Sequence, residues 1–169
     1  MTTKLIHYTN EKFSLEPKEY AQSELSWQAK PNGLWLSVEG PYDWEWWCTG
    51  ERYNLENLAV SYEVKLKENA KILYLDTETE IFEMAEKYPA KTRTWDADLD
   101  TYQLNWNEIK KEYQGIIIPQ YLWECRMSQK SCWYYGWDCA SGCVWDLSCI
   151  EEFKLRDINE LNRSNSCVG

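Results

Sequence analysis

Between Leu58 and Leu66 the chain alternates: Leu58, Val60, Tyr62, Val64 and Leu66 are separated by Ala59, Ser61, Glu63 and Lys65. A period of two is that of a half-buried β-strand. After Glu68-Asn69 comes Lys71–Leu75, and the two runs together predict a hairpin. Shorter strands are expected at Lys4–Thr9 and, after the turn signal Asn32-Gly33, at Leu34–Val38. Gly115–Pro119 is apolar without alternation, the pattern of a central strand covered on both faces. Gly142–Leu147 and Ile150–Leu155 predict closing strands.

Helical spacing takes over elsewhere. Ile81, Met84, Ala85 and Tyr88 fall on one face of a helix, with Pro89 to stop it. Thr77 precedes it with Glu80 three residues on, the signature of a capping box. Asn105 and Glu108 repeat the capping logic for a shorter helix ending near Gly115. Pro17 suits the first position of a helix over Pro17–Gln28, and Pro41 is expected to open one that bears Trp44, Trp46 and Trp47. Strands outnumber helices. The sum is an α+β fold with a mostly antiparallel sheet flanked by helices, in a single domain spanning residues 1–169.

Composition sharpens this picture in three places. At 44% hydrophobic residues the chain can build a core, so a folded chain is expected over a disordered one. Eleven Trp and twelve Tyr stand against three Phe, and Trp and Tyr add a polar edge to a flat face, as half-wet pockets require. Taken singly most of these rings read as core filler; Trp44, Trp46 and Trp47 together do not. A formal charge of −10 repels phosphate backbones and anionic membranes, so generic nucleic-acid binding is disfavoured and no membrane partner is expected. Met1-Thr2-Thr3-Lys4 lacks the apolar run of a signal peptide, and a cytoplasmic location is the expectation.

Seven cysteines, five of them crowded at Cys125, Cys132, Cys139, Cys143 and Cys149, form no C-x-x-C pair. Reduced, metal-free thiols acting as small buried hydrophobes are expected, with a zinc site on Cys139 and Cys143 as the alternative. His7 is the sole histidine, so any imidazole chemistry falls to it. The chain has no G-x-S-x-G elbow, no G-x-x-x-x-G-K and no G-x-G-x-x-G. The tryptophans are more telling. Their faces attract flat cations such as the nicotinamide of NAD, and Gly33 would let backbone come close to such a ligand.

His7-Tyr8-Thr9, then Gly33-Leu34-Trp35-Leu36-Ser37, then Trp46 and Trp47 follow one another in an order that resembles the NAD-dependent ADP-ribosyltransferases. The resemblance is to their histidine–tyrosine–glutamate branch, the diphtheria-toxin and poly(ADP-ribose) polymerase type. It extends to Tyr113–Ile116 and to Asp146-Leu147-Ser148-Cys149-Ile150. It implies a split β-sheet and NAD as substrate. His7 and Thr9 would contact the ribose, and the Gly33 backbone would hold the carboxamide. Trp35 and Trp46 or Trp47 would stack on the ring, with Ser37 on the same strand.

Two departures stand out. Trp replaces the family's Tyr at both stacking positions, and Ser141 stands where the catalytic glutamate is expected. Asp138 is the first substitute, Glu124 the second. The implied activity is cleavage of the nicotinamide bond with transfer of ADP-ribose to a macromolecular acceptor or to water, in keeping with a toxin-like or viral effector. Two alternatives stand beside it. One is a non-catalytic NAD- or nucleotide-binding module; the other is a Trp-rich protein-interaction domain, which requires an exposed aromatic patch.

Overall fold

Seven strands join into one sheet in the computed structural model, which describes residues 3–23, 30–90 and 103–156. The strands are β1 (Leu5–Thr9), β2 (Leu34–Val38), β3 (Val60–Leu66), β4 (Ile72–Tyr74), β5 (Gly115–Ile118), β6 (Ser141–Val144) and β7 (Ile150–Leu155). Their order is β4-β5-β6-β2-β1-β3-β7, and every neighbouring pair except β4–β5 is antiparallel. The result is an α+β fold with a mixed sheet.

That order forces the sheet to curl. Laid flat, β3 and β4 would stand about 24 Å apart, five strand spacings. The link from Leu66 to Ile72 reaches about 20 Å even fully extended, and it spends part of that length on a turn closed by Ala70 N–H to the Lys67 carbonyl. The two margins are therefore drawn together. At the β4 end Gln114 ties its neighbours together: its backbone N–H donates to the Lys71 carbonyl at 2.7 Å and its side-chain amide to Asp146, just after β6, at 2.7 Å.

The predicted hairpin is not formed. The β3 strand pairs with β1 and β7, whereas Ile72–Tyr74 runs parallel to β5. The local pattern located both strands but carried no information about their partners. Gly115–Ile118 is buried on both faces as expected: Ile116 and Ile118 enter one core, Ile117 the other. It is flanked on both sides, by β4 and β6, and β6, expected to close the sheet, lies inside it as well.

Helix α1 (Trp44–Glu51) starts three residues after Pro41 because the Asp43 carboxylate accepts the Trp46 N–H at 2.9 Å and caps it. Helix α2 (Glu78–Lys87) has the full capping box on Thr77 and Glu80, and Ile81, Met84, Ala85 and Tyr88 are buried. Helix α3 (Trp106–Glu112) is capped by Asn105, and a short α4 (Trp123–Arg126) follows β5. Helices α2, α3 and α4 contribute to a core that holds Trp106, Trp133, Trp137 and Trp145. Much of the tryptophan is thus structural.

The helix expected over Pro17–Gln28 is absent from its described part. Residues 17–23 run without helix alongside Trp145–Leu147: Tyr20 N–H donates to the Trp145 carbonyl at 2.7 Å, and Leu147 N–H to the Lys18 carbonyl at 2.9 Å. Long-range main-chain bonds occupy the groups a helix would have used. Residues 24–28 lie outside the described residues. Among the described residues no helix is long and apolar enough to cross a membrane.

Candidate functional site

The sheet opens between β1 and β2. Their ladder registers only Leu5↔Val38 and Ile6↔Ser37. From His7 onward β1 pairs with β3, while Trp35 and Leu34 pair with β6. A cleft of about 260 Å³ lies at this divergence, walled by Trp35, Ser37, Trp44, Trp137 and Asp138 with His7 and Ser141.

His7 bridges the opening. Its Nδ1 lies 2.8 Å from the Trp35 carbonyl oxygen. A carbonyl only accepts, so Nδ1 carries the proton and Nε2 is left as an acceptor. Burial lowers the imidazole pKa below its ordinary value of 6.5, against the smaller opposing effect of that hydrogen bond, and the ring is neutral at pH 7. Alternation along β1 sends His7 to the same side as Leu5, where its ring meets Phe13 edge-on at 5.7 Å and Phe153 at 6.0 Å.

On β2, Trp35 and Ser37 share the opposite side. The Trp35 ring meets Trp137 at 5.0 Å with planes 63° apart, and the Lys30 ammonium sits 5.2 Å from its centroid. Ser37 Oγ accepts the Trp44 N–H at 2.9 Å, so β2 anchors the first turn of α1 and keeps a hydroxyl proton to donate. Tyr8 donates its hydroxyl to Glu45 on α1 at 3.2 Å, fastening the helix to β1 from the other side. Burial first, then Glu45 and Asp43, hold that phenol protonated.

Asp138 is the acidic residue on the wall. Lys30 lies 3.9 Å from one carboxylate oxygen and Arg126 3.6 Å from the other. Burial pushes its pKa above the ordinary carboxylate value, and the two cations oppose that push. Ser141 is buried, with Oγ donating to the Cys139 carbonyl at 3.0 Å. Cys139 also lines the cleft, but burial raises its thiol pKa to about 12, which removes it as a nucleophile at neutral pH.

Of the residues singled out in the sequence, His7, Trp35, Ser37 and Asp138 meet at this cleft, and Thr9, Gly33, Trp46, Trp47 and Glu124 do not line it. Thr9 pairs with Val60 at the end of β1. Gly33 is pressed against β6, where a Cβ would stand 2.5 Å from the Val144 carbonyl oxygen. Its lack of a side chain serves strand packing. Trp47 stacks on Trp44 at 5.3 Å, behind the ring that does face the cleft, and Trp46 turns toward Trp123. Glu124 is exposed on α4, whose Arg126 reaches Asp138 instead. Cys139 and Cys143 belong to no group of three or more metal-ligating side chains among the described residues.

Trp137 and Lys30 were missed. Trp137 adjoins Asp138 and had a signal in that adjacency; Lys30 had none, because its place depends on how β2 is approached. The chain matches no family model, no curated protein and no solved structure in comparisons with each.

Proposed function

We propose that the protein is an NAD-dependent ADP-ribosyltransferase whose nicotinamide site is the cleft between β1 and β2. The observation behind this reading is convergence: His7, Trp35, Ser37 and Asp138, spread over most of the chain, border one cavity. Two tryptophan faces suit a flat cationic ring. The Ser37 hydroxyl donates to the carboxamide oxygen, and His7 holds the edge of the opening through its bond to the Trp35 carbonyl. A cavity of about 260 Å³ is smaller than sites that enclose whole drug-sized ligands, so it takes the nicotinamide and its ribose and leaves the adenylate outside.

In the reaction the bond between ribose C1 and the nicotinamide nitrogen breaks, and its electron pair leaves with neutral nicotinamide. The ribose passes through an oxocarbenium-like state, an acceptor oxygen or nitrogen bonds to C1, and the acceptor's proton goes to solvent. Asp138 supplies the negative charge that faces this developing cation.

A second reading is favoured by two specific observations. Ser141 is neutral, and both oxygens of Asp138 already face cations. A non-catalytic NAD-binding module has this arrangement. Incubation with NAD, with and without cell lysate, separates the two: free nicotinamide supports the transferase. Tryptophan quenching by NAD without nicotinamide release supports the binding module. No quenching and no release removes both.

A further inference from the structure

Tyr42, Trp46 and Trp123 form an aromatic corner outside the cleft. Tyr42 and Trp46 have ring centroids 5.1 Å apart, Tyr42 and Trp123 5.6 Å, and Trp46 and Trp123 6.1 Å. The interplanar angles are 82°, 88° and 88°, so the three rings are mutually perpendicular. Each is still 40–48% exposed. Rings that served only to fill a core would be covered, as Trp133, Trp137 and Trp145 are.

We propose that this corner binds a cationic side chain, a guanidinium or ammonium, presented by a partner protein. The distances fit. A cation resting about 4 Å above the plane of the three centroids lies about 5 Å from each, inside the range of ring–cation attraction. Charge favours the same occupant: the protein carries −10 overall, and the exposed Glu124 directly follows Trp123. The nearby Arg126 is engaged with Asp138. Phosphate-bearing partners meet the opposite field.

The corner is also continuous with the cleft. Tyr42 and Trp46 flank Trp44, which lines it, and the Tyr42 carbonyl accepts the N–H of Ala140 at 2.8 Å, between the cleft residues Cys139 and Ser141. A basic side chain held here sits beside the cleft mouth. The inference rests on the corner itself and stands whether or not the cleft turns over NAD.

The test uses a short glycine–serine peptide with one central arginine and the same peptide with citrulline, which keeps the shape and removes the charge. Binding is read by the shift of tryptophan indole N–H resonances on titration. The arginine peptide is expected to bind roughly tenfold more tightly than the citrulline peptide. Trp123→Leu and Trp46→Leu should each abolish the difference while melting at the wild-type temperature, and Trp47→Leu should retain it. Equal binding of both peptides overturns the proposal, as does no binding of either. Sedimentation showing a dimer that Trp123→Leu converts to monomer also overturns it, because a second copy then covers the corner. Nicotinamide release is measured in parallel on the same variants and tests the transferase reading separately.

Discussion

His7 and Trp35 lie on adjacent strands that have stopped pairing, and the imidazole Nδ1 contacts the Trp35 carbonyl oxygen at 2.8 Å across the opening. The side chain takes over where the ladder ends. It therefore ties β1 to β2 across the opening and fixes the imidazole as the Nδ1–H tautomer.

This relationship has a pH consequence. The folded-state pKa of His7 is lowered below 6.5 by burial, so on acidification the unfolded chain takes up its proton first. Stability should fall as pH drops from about 6.5 toward the folded pKa, and His7 should contribute no slope above that window. His7→Gln should flatten the curve there. Asp138, raised from 3.8, acts lower on the scale with the opposite sign, since the folded state then holds the proton more firmly. As the sole histidine, His7 gives a single ring-proton titration by NMR, expected to lie below 6.5.

Under the proposed transferase reading, Asp138→Asn should spare NAD binding and lower nicotinamide release by roughly 10²–10³, the scale of one preorganised electrostatic partner. The neutral amide keeps the volume beside Lys30 and Arg126. Steady-state kinetics alongside fluorescence titration separates a change in kcat from a change in affinity. Wild-type turnover in Asp138→Asn, with Glu124→Gln inactive, would move the role to Glu124.

Gly33→Ala should destabilise the fold by about 1–3 kcal/mol, as overpacking does. The added Cβ would stand 2.5 Å from the Val144 carbonyl oxygen and 2.6 Å from the Cys143 sulfur. Backbone cannot yield there without parting β2 from β6. Gly50→Ala is the control. Nothing lies within 4 Å of its Cβ, and alanine in an exposed helix should gain roughly 0.5–1 kcal/mol. Urea unfolding of both variants checks the pair.

Thr77→Ala should cost about 1 kcal/mol and lower the melting temperature by about 2–4 °C. It removes the hydroxyl that accepts the Glu80 N–H at 3.3 Å and releases the Glu80 carboxylate from its bond with that hydroxyl. Thr77→Ser should restore most of the loss, because serine caps by the same oxygen.

The local elements were legible because their causes are local. Thr77 and Glu80, Asn105 and Glu108, and the run Ile116–Ile118 act through neighbours within a few residues, and each formed the cap or strand expected of it. Three site residues, His7, Trp35 and Ser37, sit on short strands that the sequence also led one to expect.

What the tertiary structure alone decided is pairing and direction. Lys71–Leu75 formed its strand but joined β5 instead of β3, since register and partner depend on surfaces far apart in the chain. Pro17–Ser23 gave its main-chain groups to Trp145 and Leu147, a competition no local propensity registers. The tryptophans divide for the same reason. Trp44 faces the cleft, Trp47 backs it, and Trp46 turns outward to Tyr42 and Trp123, because one helix carries successive side chains about 100° apart and only its docking by Ser37 and Asp43 fixes which way each points.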